Sequence, residues 1–163
     1  MSFSTTELKQ SLPFAGQVEE IWLRPEKFAA PVRVNKATVT KENGLIGDHY
    51  AGSTTRKRQV TLIQYEHLPV IAALVNVPEI DASLLRRNIV VSGINLLSLK
   101  ECIFLIGTAH LEMTGLCHPC SRMEKNLGPG GYNAMRGHGG INATVIKDGE
   151  IKLGDEISVV KFI

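Results

Sequence analysis

Along most of the chain, apolar residues alternate with polar ones over short runs, which is the period of strands with one buried face. Gln17–Leu23 shows the pattern with one slip, Val18 falling in one register and Ile21 and Leu23 in the next, and Val32–Val34 and Ala37–Thr40 continue it. Lys41–Asp48 is turn chemistry, because Asn43-Gly44 takes positive φ at little cost. Gln59–Ile63 reads as a short β-branched strand. Leu68, Ile71, Ala72 and Val75 then recur at helical spacing, predicting a helix over about 66–76 with Pro69 in its first turn. Asp81–Arg86 offers one more helical turn before a strand at Asn88–Val91 closed by Ser92-Gly93. Phe104–Met113 and Ile151–Val159 share a design of an apolar pair, a glycine (Gly107, Gly154) and an alternating strand, with the glycine marking a bulge or bend. Lys147-Asp148-Gly149-Glu150 predicts a hairpin closed by a type I′ turn.

Many short, bent strands with two or three helices predict an α+β domain, mainly β, built on a barrel-like sheet with helical insertions. Residues 1–13 read as a loose lead-in with a short helix at 5–11, and 14–163 as a single domain, since 163 residues suit one core. No Gly-x-Gly-x-x-Gly, phosphate-binding P-loop or internal repeat occurs. Eighteen Lys and Arg against 16 Asp and Glu leave a net charge of +2, too balanced for a protein that tracks extended nucleic acid, although a local anion site is compatible with it. There is no export signal and no run of 18 apolar residues, so the expectation is a cytoplasmic protein without a membrane span. Three cysteines, Cys102, Cys117 and Cys120, fit a reducing compartment better than a disulfide framework.

The chemistry concentrates in residues 114–141. Cys120, Met123 and Leu127 fall on one helical face, and the helix starts either with Pro119 in its first turn or with a Ser121-x-x-Glu124 capping box. Either start places Cys120 at a helix N-terminus, where free N–H groups and the nearby Arg122 and His118 favour a thiolate. An inert buried cysteine is the plainer alternative. Cys117-x-x-Cys120 also has the spacing of a redox dithiol or half a zinc site, yet no second pair of ligands exists, with His49, His118 and His138 scattered, and a dithiol expects a βαβ setting that is missing. Glycines at 128, 130, 131, 137, 139 and 140 allow close backbone approach to a ligand, with Arg136 and His138 among them, or form a plain flexible loop. Arg56-Lys57-Arg58 and Arg86-Arg87-Asn88 are basic clusters, either solvated faces or partners of an anionic ligand.

In their joint order, Gly47-Asp48, Arg58–Ile63, Arg86–Gly93, Ile106-Gly107 and Cys117-His118-Pro119-Cys120 through Gly139-Gly140-Ile141 resemble the MOSC domain. This module is found at the C-terminus of molybdenum-cofactor sulfurases, and the likeness is to its small stand-alone bacterial members. The resemblance implies a strand-rich barrel-like fold and gives Cys120 the role of molybdenum ligand or carrier of sulfane sulfur. It implies that Arg86 and Asn88, in an Arg-x-Asn pattern, help hold the anionic pterin; the basic cluster, the Cys-x-x-Cys pair and the glycine-rich segment add Arg58, Cys117, Arg136, His138 and Gly139 as cofactor-binding candidates. Where the family reads Gly-Asp-x-His, this chain reads Gly47-Asp48-His49-Tyr50. The function so implied is a molybdenum-cofactor-binding oxidoreductase that reduces N-hydroxylated small molecules with an electron-donor protein. The rival is a sulfur carrier or cofactor-delivery module that receives sulfur from a donor onto Cys120.

Overall fold

The structure is a computed structural model, and it describes residues 1–50 and 55–163. β1 (Gly16–Leu23) pairs with β2 (Val32–Val34), and β3 (Lys36–Thr40) with the two-residue β4 (Gly44–Leu45). β5 (Val60–Gln64) leads through α2 (His67–Leu74) and a 3-10 turn (Ala82–Leu85) to β6 (Ile89–Ser92). A second 3-10 turn (Leu96–Leu99) precedes β7 (Cys102–Ile106) and β8 (Ala109–Leu116). After α3 (Ser121–Leu127) and α4 (Gly131–Met135) come β9 (Ile141–Lys147), β10 (Gly149–Lys152) and β11 (Glu156–Phe162). The lead-in holds α1 (Thr5–Gln10), which forms a Ser4/Glu7 capping box and buries none of its residues.

Seven strands close into a ring in the order β11-β7-β8-β9-β5-β6-β1, sealed by the antiparallel pairing of Gly16 with Ile157, and β2 is appended to β1. The expected mainly β, barrel-like architecture is therefore the one found. β10, β3 and β4 form a separate three-stranded sheet. β5 and β6 run parallel, a pairing that requires the crossover supplied by α2. The slip in Gln17–Leu23 is a bulge, since the register of β1 on β6 shifts between Val18 and Glu20.

Ile21, Leu62, Ile89, Phe104, Leu111 and Ile157 fill the barrel interior. A second core lies outside it, where Ile63 and Val90 meet Ile71, Leu85, Met123 and Met135 under the helices. All of β5 is buried for this reason: its alternate faces serve different cores. Each such aliphatic side chain contributes about 1.5–3 kcal/mol through its removal from water.

Two sequence expectations change. The hairpin at 147–150 does not form: β10 pairs with β3, and Gly149 lacks the positive φ that a type I′ turn needs. Gly149 is required for space instead, because a methyl group there would collide with the Thr108–Ala109 backbone. Phe104–Met113 is two strands, with Ile106 opposite Ala109 across a Gly107-Thr108 turn. Gly154 does mark a corner, carrying the chain from the small sheet at β10 to the barrel at β11.

A buried polar knot ties the base of the site together. Arg24 donates from its backbone N–H (2.8 Å) and Nε (3.0 Å) to Asp48 Oδ1, and from Nη2 to Oδ2 at 2.8 Å. Asn88 Nδ2 donates to the same Asp48 Oδ1 (3.0 Å) and to the Trp22 carbonyl (3.1 Å), while its Oδ1 accepts from Thr61 N and Oγ1, both at 3.0 Å. Burial opposes ionisation of Asp48, but the hydrogen bonds and charge of Arg24 and the Tyr50 N–H outweigh it and hold the carboxyl below its ordinary value of 3.8. A depressed folded value stabilises the protein above the unfolded value and is lost as pH falls through the folded one. Asp48→Asn should lower unfolding free energy by about 3–5 kcal/mol at neutral pH, as for one partner removed from a buried pair. In urea titrations the gap to wild type should narrow once pH drops below 3.8, where the wild-type carboxylate loses its advantage.

Candidate functional site

The segment after β8, the turn before β9 and the approach to β6 converge on the cysteines. Cys117 N–H donates to the Gly140 carbonyl at 2.9 Å, bringing the first two together. Gly139 and Gly140 make this possible: a methyl group on Gly139 would overlap the Cys117 carbonyl, and on Gly140, at φ 84°, the Leu62 carbonyl. The close approach expected here is thus one of backbone to backbone, and the contribution of Gly139 is to let those segments meet.

Arg87 clamps the junction. Only 6% exposed, its guanidinium donates from Nε to Gly139 O (2.8 Å), from Nη1 to Leu85 O (2.9 Å), and from Nη2 to Cys117 O (3.2 Å) and His118 O (3.5 Å). All four acceptors are carbonyls, so its charge meets dipoles and no carboxylate. Burial pushes this guanidinium down from its ordinary value, and negative charge at Cys117 and then Cys120 opposes that push. A buried cation without a counter-ion stabilises an anion placed nearby.

Cys120 is the N-cap of α3 and its side chain is exposed, while Cys117 is 1% exposed. Neither expected helix start forms. Cys120 has extended backbone (φ −129°), and Glu124 reaches forward to accept from Gly130 N (2.7 Å) and Tyr132 N (2.8 Å), tying α3 to α4. Met123 and Leu127 turn into the second core, but Cys120, outside the helical register, stays on the surface.

Four further guanidinium groups, those of Arg24, Arg58, Arg86 and Arg122, cluster with Arg87 in this part of the fold. Arg58 Nη2 lies 4.0 Å from Cys117 Sγ. Arg86, in the left-handed region at φ 55°, donates to Ala29 O (2.7 Å) and Lys27 O (3.0 Å), fastening the 27–29 loop beside the site. Its guanidinium is pushed down by burial and by the charges of Arg24 and Arg122, against Asp48 and Cys120. Arg122 stacks over Phe28 at 4.7 Å, and its buried Nη2 has no hydrogen-bond partner among the described residues. Asp48, already bidentate to Arg24, is the carboxylate of this group. An excess of guanidinium charge, an orphaned N–H and an accessible thiol fit an anionic, phosphate-bearing group with a soft metal.

The other expected residues are placed differently. Asn88 is 0% exposed and its amide is engaged with Thr61, Trp22 and Asp48, so in this structure it positions Asp48 and, through it, Arg24. Arg136 is exposed on a groove with His118 and Tyr132. His138 packs its ring edge-on against His67, centroids 5.0 Å apart. His49 is exposed, its Nδ1 3.1 Å from the Arg24 carbonyl, so it serves the Asp48 corner. Among the described residues no three His, Cys, Asp or Glu side chains gather to hold a metal. Sequence reasoning missed Arg24, and it singled out Arg87 only within the Arg86-Arg87-Asn88 cluster and Arg122 only as a neighbour of Cys120.

Known structures share this architecture. The YuaD protein from Bacillus subtilis is 24% identical, with a TM-score of 0.78 over 91% of this chain and 98% of that one. YiiM from Escherichia coli is 17% identical, with a TM-score of 0.71 over 93% and 72%. YiiM from Geobacillus stearothermophilus is 18% identical, with a TM-score of 0.73 over 90% and 75%. No curated protein matches the chain. The MOSC domain matches residues 45–158, a span that includes β5, β6, both cysteines and the glycine turn, and the chain belongs to the MOSC domain family.

Proposed function

We propose that the protein holds the molybdenum cofactor through Cys120 and its surrounding guanidinium groups, and reduces N-hydroxylated small molecules with electrons from a donor protein. The observation that carries this reading is the exposed Cys120 thiol set in an arginine cluster whose carboxylate is already taken. Membership of a family commonly associated with that cofactor supports it. Thiolate is a soft ligand suited to molybdenum, and guanidinium N–H groups suit a phosphate. Arg122 Nη2 offers an unpaired donor among the described residues, Arg58 sets its guanidinium against the Cys117 sulfur, and Arg87 holds the 117–118 backbone still behind the thiol. When bound, the cofactor supplies the two-electron chemistry, while the protein binds and orients the reacting molecule. Free thiols at all three cysteines suit a reducing cytoplasm, and no helix among the described residues is long and apolar enough to cross a membrane.

One observation favours a second reading. Cys120 is open to a macromolecular partner, as a sulfur carrier loaded by a donor requires. Purified under protective conditions, such a carrier would gain about 32 Da, one sulfur atom as persulfide.

Elemental analysis of protein from a cofactor-producing host should find near-stoichiometric molybdenum in wild type and its loss in Cys120→Ser. Full retention in the mutant would overturn the assignment. The clamp yields a further expectation: Arg87→Met should cost at least about 3 kcal/mol, because buried carbonyls lose charged donors. In thiol-labelling time courses Cys117, protected in wild type, should become reactive in that variant, whereas unchanged protection would show the clamp to be dispensable.

A further inference from the structure

Between β1 and β2 the chain makes a loop, residues 24–31, Arg-Pro-Glu-Lys-Phe-Ala-Ala-Pro, which precedes residue 45, where the match to the MOSC domain begins. One turn, Ala29 N–H donating to Glu26 O at 3.3 Å, shapes the loop from within. Its tip is fixed from outside by Arg86, which donates from Nη1 to Ala29 O (2.7 Å) and from Nη2 to Lys27 O (3.0 Å). Those carbonyls flank Phe28, so the two bonds settle where residue 28 stands. Phe28 is 73% exposed, and burial therefore does not account for its place. Its ring instead meets two cations, the Arg122 guanidinium at 4.7 Å from the ring centre and Lys27 Nζ at 5.3 Å.

The arginines of the site differ in what they have left to give. Arg24 is spent on Asp48, Arg86 on the loop and Arg87 on four carbonyls, while Arg58 lies against the Cys117 sulfur. Arg122 makes no ion pair among the described residues, and its buried Nη2 has no hydrogen-bond partner there. Neither nearby carboxylate serves it: Glu124 accepts from Gly130 N and Tyr132 N, and Glu26 is exposed without an ion pair among the described residues. A guanidinium packed over an aromatic face keeps its N–H edge, in its own plane, for a bidentate partner.

We propose that Phe28 is a positioning residue: held in place by Arg86, its ring fixes the Arg122 guanidinium so that the unpaired edge meets a phosphate-type anion beside Cys120. The proposal deepens the cofactor reading and rests on it for one point, that the anion is the phosphate of the group held at Cys120. Arg122 is the second residue of α3, whose N-cap is Cys120, and Arg86 feels the charge of both. Without the ring, a long side chain with many rotamers would become ordered only when the anion arrives, and binding would bear that entropy.

The test is calorimetric titration of inorganic phosphate into the full chain carrying no molybdenum, beside NMR of the Arg122 Nε–H. Wild type should bind phosphate saturably, and Arg122→Gln should abolish the binding. Phe28→Leu, apolar but without a π face, should weaken it by about fivefold, the size of a partly desolvated cation–π contact, and Phe28→Tyr should bind as wild type does. The Arg122 Nε–H signal, ring-shifted in wild type and Phe28→Tyr, should move in Phe28→Leu to the position of an ordinary exposed arginine. Arg86→Lys cannot span both carbonyls; it should weaken binding as Phe28→Leu does, and the double variant no further, because both act through one side chain. Since Phe28 is exposed, Phe28→Leu should unfold at the wild-type temperature, so its lost binding is not lost folding.

Absence of saturable phosphate binding, equal binding in Phe28→Leu, or an Arg122 signal indifferent to residue 28 would overturn the positioning role. In protein carrying molybdenum, added phosphate should find the site taken, and undiminished binding there would overturn the identification of the anion with the cofactor's phosphate. The titrations without molybdenum do not depend on the Cys120 assignment, so failure of one is separable from failure of the other.

Discussion

A positive charge carried under the surface without a negative one beside it sets the terms for everything around the two cysteines. Arg87 meets that demand with four carbonyl dipoles drawn from Leu85, Cys117, His118 and Gly139. Each of those carbonyls belongs to a segment that must be fixed for the thiols to keep their places. The same guanidinium therefore orders the loop and leaves a residual field at its tip. Glycine at 139 is the steric condition of the arrangement, since a side chain would hold the two backbones apart.

Rigidity below the site comes from a different source. The ring of seven strands buries one set of side chains inside, and β5 and β6 bury another set outside beneath the helices. The Asp48–Arg24–Asn88 knot joins the start of β6 to the end of β1, so the arginines on the approach to β6 are anchored from both directions. The chemistry then lies on loops held by fixed neighbours, the usual division of labour between scaffold and site.

The strands were legible because alternation is imposed by burial on one face, and even the slip after Val18 appeared as the bulge it is. Asp148-Gly149 misled because local turn preference was overridden by tertiary pairing: β3 offers β10 a partner. Leu96–Leu99 escaped notice, four residues being too few to display a period. Cys120 was readable as a helix cap from its neighbours, yet its exposure was not, because the cap residue leaves the helical register. Arg86 and Arg87 looked alike in sequence. Their fates diverge since Arg86 turns left-handed at the end of a 3-10 turn, sending its side chain to the 27–29 loop and Arg87 inward.

Closure of the ring also governs how other proteins can meet this one. Each strand of the ring has a neighbour on both sides over part of its length, so the barrel leaves little of its backbone ladder open to a visiting strand. The ends that do remain are poor templates: β2 is three residues long with Arg33 at its centre, β4 is only two, and β10 carries Glu150 and Lys152 paired at 3.3 Å. Contact with another protein is thereby left to side chains and loops, since main-chain pairing has few places to start. Evolution can then change the visitor by changing those loops, with the hydrogen-bonded frame left untouched.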